Sequence, residues 1–203
     1  MTTREMQELL DVRVGQLGMK LEGDAKWKII GLSKGLPSFA HALGRSSVYS
    51  AIDRRHMTLQ ESDVDIGIKS TIESSQHTLK STYETATNSN QARARFRQLI
   101  TACALAKSDP SGWFTPKDVE EPFSGIVGER RTIEHFNGNL KEFASDRRGN
   151  ILHVKGSERN FRFRFSEPAM QPFVLMKGVA ENLIDEKAMN VLSSKEQGEL
   201  FPT

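Results

Sequence analysis

The sequence predicts a mainly α-helical protein made of two successive segments, the second carrying a single β-hairpin. Three observations predict it. Apolar residues recur at helical spacing along most of the chain. That pattern gives way once to strict alternation, in NFRFRFSEP from Asn160 to Pro168. A polar, weakly patterned stretch, ETATNSNQARAR, interrupts the chain near its middle and sets the expected boundary near Asn88–Asn90.

The first segment, residues 1–88, reads as four helices. TREMQELLDVRVGQLGM places Met6, Leu10, Val14 and Leu17 on one stripe. GDAKWKIIGLSKG starts after Asp24 as N-cap, offers Ala25, Ile29 and Leu32, and stops at Gly35. LPSFAHALGRSSVYSAI opens with Pro37 in its first turn. Thr58 and Glu61 have capping-box spacing. Beyond them, Val64, Ile68, Ile72, Leu79 and Tyr83 mark one long stripe. Short loops and amphipathic helices predict a small bundle.

The second segment spans residues 91–180. RARFRQLITACALAKS is a helix with Phe96, Leu99, Ile100 and Cys103 inward, and DPSGW is a turn. Thr115 caps a second helix, with Pro116 at its first position and Asp118 three residues after the cap. RTIEHFNGNLKEFA carries Ile133, Phe136, Leu140 and Phe143 at helical steps, predicting a third helix over Arg130–Ala144. ILHVKGSERNFRFRF reads as two strands around KGSERN, with Phe161, Phe163 and Phe165 on one face and Arg162 and Arg164 on the other. PAMQPFVLMKGVAENL closes the segment as a helix. Three helices, a hairpin and a helix, in that order, predict a winged helix-turn-helix with a β-hairpin wing. Residues 181–203 read as a flexible tail.

Composition narrows the function classes. The chain has 203 residues, 37% hydrophobic and 27% charged. No apolar run approaches the roughly 20 residues that a bilayer crossing needs. MTTREMQELL lacks the apolar region of a signal peptide, and the lone Cys103 lies in the apolar run LITACALA. Both predict a cytoplasmic protein with a buried thiol. The net charge of +2 conceals an asymmetry: residues 1–90 are neutral, 91–180 carry +5, and 181–203 carry −3. The basic excess coincides with the hairpin, a modest electrostatic footprint for a nucleic-acid partner.

No motif predicts catalysis. His41, His56, His77, His135 and His153 lack zinc-site spacing, and Glu120–Glu121 reads as a solvated first-turn acid pair. Neither GxxxxGK[ST] nor GxGxxG occurs. No catalytic residue and no metal ligand are expected.

GLSKGLPSFAHALG, residues 31–44, carries a resemblance. Its Gly35-Leu36-Pro37 turn looks like the sensor-2 region of the helical lid in AAA+ and related STAND ATPases. LLDVRVGQLGMKLEGDAKWKIIGLSKG is similar to the first two lid helices, and HMTLQESDVDIGI resembles the start of the last. Residues 91–180 resemble the winged helix that follows the lid in origin-recognition and transposition ATPases. The resemblance spans about residues 3–180. It implies that Gly35, Pro37, Ser38 and His41 lie near nucleotide. Ser38 stands where many members have an arginine, and His41 lies one turn on. It also implies a separate ATPase core that supplies ATP and Mg²⁺ binding, so the chain is expected to be a C-terminal piece that is not itself an enzyme.

The expected DNA-binding surface follows from charge. Arg130, Arg131, Asn137, Asn139 and Lys141 lie off the apolar stripe of the third helix. Asn reads adenine edges, and Arg and Lys take guanine or phosphate. Arg147, Arg148, Lys155, Arg159, Arg162 and Arg164 surround the turn and wing. Residues 128–165 hold nine basic against five acidic side chains, and Glu134 and Glu142 interrupt the third helix. Double-stranded DNA is the expected partner. The alternative is a winged helix that docks on a protein partner or on the core as an autoinhibitory module.

Overall fold

The structure, a computed structural model, describes residues 1–89, 94–157, 160–184 and 188. It is mainly helical, and the chain divides into two compact units, Met1–Ser75 and Gln76–Asp185. The division falls well before the boundary expected near Asn88–Asn90.

Four helices build the first unit: α1 (Thr3–Gln16), α2 (Gly23–Ser33), α3 (Pro37–Asp53) and α4 (Glu61–Ser74). Thr2 caps α1 in a capping box with Glu5. The expected caps of α2 and α4 shift slightly. Glu22, rather than Asp24, is the N-cap of α2, and Gln60 boxes with Asp63 to begin α4. Thr58 is drawn instead into β2 (Thr58–Leu59), which pairs in parallel with β1 (Lys20–Leu21). Met6, Leu10, Ala25, Ile29, Leu43 and Ile68 meet in the core at 3% exposure or less.

The α3–α4 contact is unusually close. A Cβ on Gly67 would lie 2.8 Å from the Ser47 backbone nitrogen, nearer than real Cβ atoms come. Only small residues permit this approach. The polar groups brought inside are satisfied: Thr71 Oγ1 donates to the Gly67 carbonyl, and Ser50 Oγ donates to Asp63 Oδ1. Asp63, fully buried, also accepts from Arg54 at 2.9 Å and from the Gln60 N–H at 2.9 Å. A buried carboxylate is tolerated because it is paired and hydrogen-bonded on both oxygens.

The long stripe from Val64 to Tyr83 is not one helix. α4 ends at Ser74, Ser75 is extended, and α5 (His77–Thr87) begins in the second unit. Ser74 and Ser75 both donate their hydroxyls to the Thr71 carbonyl, which ends the α4 ladder. Ile72 and Leu79 are seven residues apart, so periodicity runs through the break unmarked.

The second unit continues with α6 (Phe96–Leu105), α7 (Pro116–Val127), α8 (Asn137–Phe143), β3 (Leu152–Lys155), β4 (Arg162–Phe165) and α9 (Met170–Ala180). α7 starts as its sequence requires, with Thr115 and Asp118 in a capping box and Pro116 in the first turn. The helix expected over Arg130–Ala144 is shorter. Arg130 and Arg131 lie ahead of a single 3₁₀ turn, Ile133–His135, and α8 follows with seven residues. Thr132 caps that turn through His135 Nδ1. Phe136 then leaves helical geometry at φ −138° and buries its ring.

β3 and β4 pair antiparallel, Leu152 opposite Phe165 and Lys155 opposite Arg162. Phe114 adds a bridge on the other side of β4, exchanging two 2.8 Å backbone hydrogen bonds with Phe163. β4 is thus bonded on both edges, along its length to β3 and at one residue to Phe114. Phe163 and Phe165 are buried with Phe114, Leu140 and Phe143 in the core, whereas Phe161 is half-buried at the rim.

Candidate nucleic-acid interface

Antiparallel partners share a face, so the register of the hairpin fixes its outer surface. His153 lies opposite Arg164, and Lys155 opposite Arg162. Four basic or titratable side chains therefore stand together on a face turned away from the phenylalanines. His153, Lys155 and Arg162 are exposed, and Arg164 is half-buried.

None of the three fixed charges stands alone. The loop before Phe114 lays Trp113 against them. Lys155 Nζ is 4.0 Å and Arg164 Cζ 4.7 Å from the centre of the indole, both within cation–π range. Arg162 Nη1 pairs with Asp109 Oδ2 at 3.3 Å. The sequence places Arg162 and Arg164 on this face and names no partner for them within the chain. Asp109 and Trp113 were overlooked because DPSGW reads only as a turn. Its Asp spacing signals an Asx-type turn, but the strand against which the ring falls depends on the Phe114–Phe163 bridge.

The residues expected on the third helix separate into two flanks. Lys141 lies beside the hairpin, its Nζ 4.7 Å from the Phe161 ring centre. Asn139, Arg131 and Arg147 instead line a concave face of about 1480 Å³. Asn137 is half-buried, and Arg130 and Arg147 are exposed. Arg131 is held from behind, its N–H donating to Ser124 Oγ at 2.9 Å and its guanidinium pairing with Glu129. Arg159 lies outside the described residues.

Arg148, expected on the same surface, is buried. Its side chain is 8% exposed and bonds Glu142 at 3.2 Å and the Asn88 carbonyl at 2.6 Å. Its Cζ lies 3.6 Å from the Phe96 ring centre. It ties the end of α5 to the turn after α8, and its burial turns the guanidinium inward.

The residues implied to lie near nucleotide sit at the α2–α3 turn. Lys34 and Gly35 both adopt left-handed backbone, φ 46° and 75°, so that Pro37 can open α3 in its first turn. Ser38 and His41 are exposed on α3, and the Gly35 carbonyl accepts from the N-terminal amine at 3.3 Å. Burial pushes the adjacent Lys34 amine down to about 8.

Other reactive groups are accounted for. Cys103 is fully buried, and burial pushes its thiol up, away from reactivity. Glu120 is held below the usual carboxylate range, first by its hydrogen bond with Lys117 and further by the Ile133 N–H, which it caps. Among the described residues, no three His, Cys, Asp or Glu side chains group as metal ligands, and no helix is long and apolar enough to cross a membrane. Comparisons with protein-family models, curated proteins and solved structures found no match to this chain.

Proposed function

We propose that this chain is the C-terminal lid and winged-helix part of an AAA+/STAND-like ATPase, and that its second unit binds double-stranded DNA. The observation that carries the DNA reading is the outer face of the hairpin, where Lys155, Arg162 and Arg164 stand together, Lys155 and Arg164 against Trp113. Element order after α5 supports the winged-helix reading: three helices, a hairpin whose second strand is also bridged to Phe114, and a closing helix. In this reading α8 enters the groove, and the hairpin lies along the backbone. The four-helix first unit, with Pro37 opening α3 after a left-handed turn, is the lid. ATP and Mg²⁺ belong to the separate core, and the lid's α2–α3 turn faces the nucleotide there.

Arg162 and Arg164 stand two residues apart on one strand, roughly 6.5–7 Å along it, close to the phosphate spacing of one DNA strand. Fluorescence anisotropy of a labelled duplex across a salt series tests the reading. The unaltered chain binds at low salt with a steep slope. Replacing Arg162 and Arg164 with Ala flattens the slope of log affinity against log salt by up to about 2, equally for unrelated sequences. Absence of salt-dependent binding by the unaltered chain rejects DNA and leaves this face as a docking surface for an acidic protein partner.

A further inference from the structure

The loop from Asp109 to Trp113 does two things with one carboxylate. Asp109 Oδ1 accepts the N–H groups of Ser111 and Trp113, each at 2.9 Å, and so closes the turn that sets the indole on the hairpin. Backbone bonds from Asp109 N–H to the Trp113 carbonyl and from Gly112 N–H to the Asp109 carbonyl fix the same turn. The second oxygen, Oδ2, plays no part in it and faces Arg162. The carboxylate is held ionised: the Trp113 N–H holds it below its usual range, and Ser111, Arg162 and Lys155 act in the same direction.

The outer face of the hairpin thus carries its own anion, placed where a phosphate would have to land. The Arg162–Asp109 pair is open to solvent, with side-chain exposures of 51% and 34%. Exposed pairs of this kind contribute little and exchange readily. A phosphodiester offers the same chemistry as Asp109 Oδ2: an anionic oxygen accepting from a guanidinium. Exchange costs the loop nothing, because Oδ1 and the backbone bonds hold the turn without Oδ2.

We propose that Asp109 is an internal competitor for the phosphodiester bound by the hairpin, occupying Arg162 in the free protein and yielding it to DNA, with Trp113 beside the exchanged group. This rests on the DNA reading above. The competitor weakens backbone affinity without touching sequence readout, and it keeps Arg162 oriented on the outer face between encounters.

Asp109→Asn isolates the charge. Asn retains the oxygen that accepts from Ser111 and Trp113 and forms the same turn, so the loop survives while the anion is lost. An unchanged melting temperature and an unchanged Trp113 emission, read with Trp27 replaced by Phe so that one of the two tryptophans remains, verify this. The measurement is anisotropy with a random-sequence duplex. Asp109→Asn is expected to bind about two- to fivefold tighter at low salt. Its salt slope is expected to stay close to that of the unaltered chain, since Arg162 reaches a phosphate in both complexes and only the cost of displacing Asp109 is removed. In an Arg162→Gln background the gain disappears, and duplex addition alters Trp113 emission in the Trp27→Phe protein. If the unaltered chain binds duplex in a salt-dependent way but Asp109→Asn binds no tighter, the competitor role is overturned and the DNA reading stands. An equal gain in the Arg162→Gln background overturns exchange at Arg162. If neither protein binds, both readings fall.

Discussion

Arg148 and Arg162 look alike in the sequence, each an arginine in the basic stretch from Arg130 to Arg164, and the fold uses them oppositely. Arg148 is buried among Glu142, two backbone carbonyls and the Phe96 ring; Arg162 is exposed against Asp109. Truncating Arg148 strands the Asn88 carbonyl and Glu142, so Arg148→Gln is expected to cost the second unit about 2–3 kcal/mol. Urea denaturation measures this. Lys155→Gln, at an exposed site, is expected to leave stability within about 0.5 kcal/mol. Equal losses at the two positions would mean that Arg148 is a surface residue after all. Charge counting placed both in one surface because composition reports sign and spacing, not whether a guanidinium finds backbone carbonyls within reach.

Periodicity located most elements and misjudged where some of them stop. The start of α7 was readable because Thr115, Pro116 and Asp118 state a cap, a fixed φ and a box partner in four residues. The end of α4 was not, since Ser74 and Ser75 act by taking the Thr71 carbonyl. α8 was overestimated for a related reason: Phe136 keeps helical spacing while its backbone does not. The α3–α4 contact gives a test at this scale. Gly67→Ala gains up to about 1 kcal/mol in helix propensity, but its Cβ meets the Ser47 backbone, and overpacking costs about 1–3 kcal/mol. A net loss of about 1–2 kcal/mol in the first unit is expected. Gly125→Ala, in α7 with nothing within 4 Å of the new Cβ, is expected to gain about 0.5–1 kcal/mol. Thermal melting of both variants checks the contrast; stabilisation by Gly67→Ala would mean that α3 and α4 stand further apart than described.

Across the whole chain, two compact units divide the proposed work between a nucleotide-facing turn and a DNA-facing hairpin. The prediction at this scale concerns ATP. The sequence has no loop to cradle phosphates, and ATP chemistry depends on positioning and neutralising them, so the chain by itself is expected to bind ATP with Mg²⁺ weakly or not at all. Calorimetric titration reads it directly. Micromolar affinity or turnover would overturn assignment of the nucleotide site to a separate core.

The sequence by itself determined the mainly helical class, the phenylalanine face of the hairpin, the cap of α7 and the left-handed turn before Pro37. All of these are local: they depend on spacing of two or 3.6 residues, or on side chains reaching their own backbone. Only tertiary structure decided the division after Ser75, the burial of Arg148 and the company Arg162 and Arg164 keep. Asp109 reaches Arg162 across 53 residues, and Arg148 reaches Asn88 across 60. No local pattern encodes such separations. The first follows from how β4, bonded to β3 and to Phe114, brings the Asp109 loop onto its outer face, and the second from the turn after α8 meeting the end of α5.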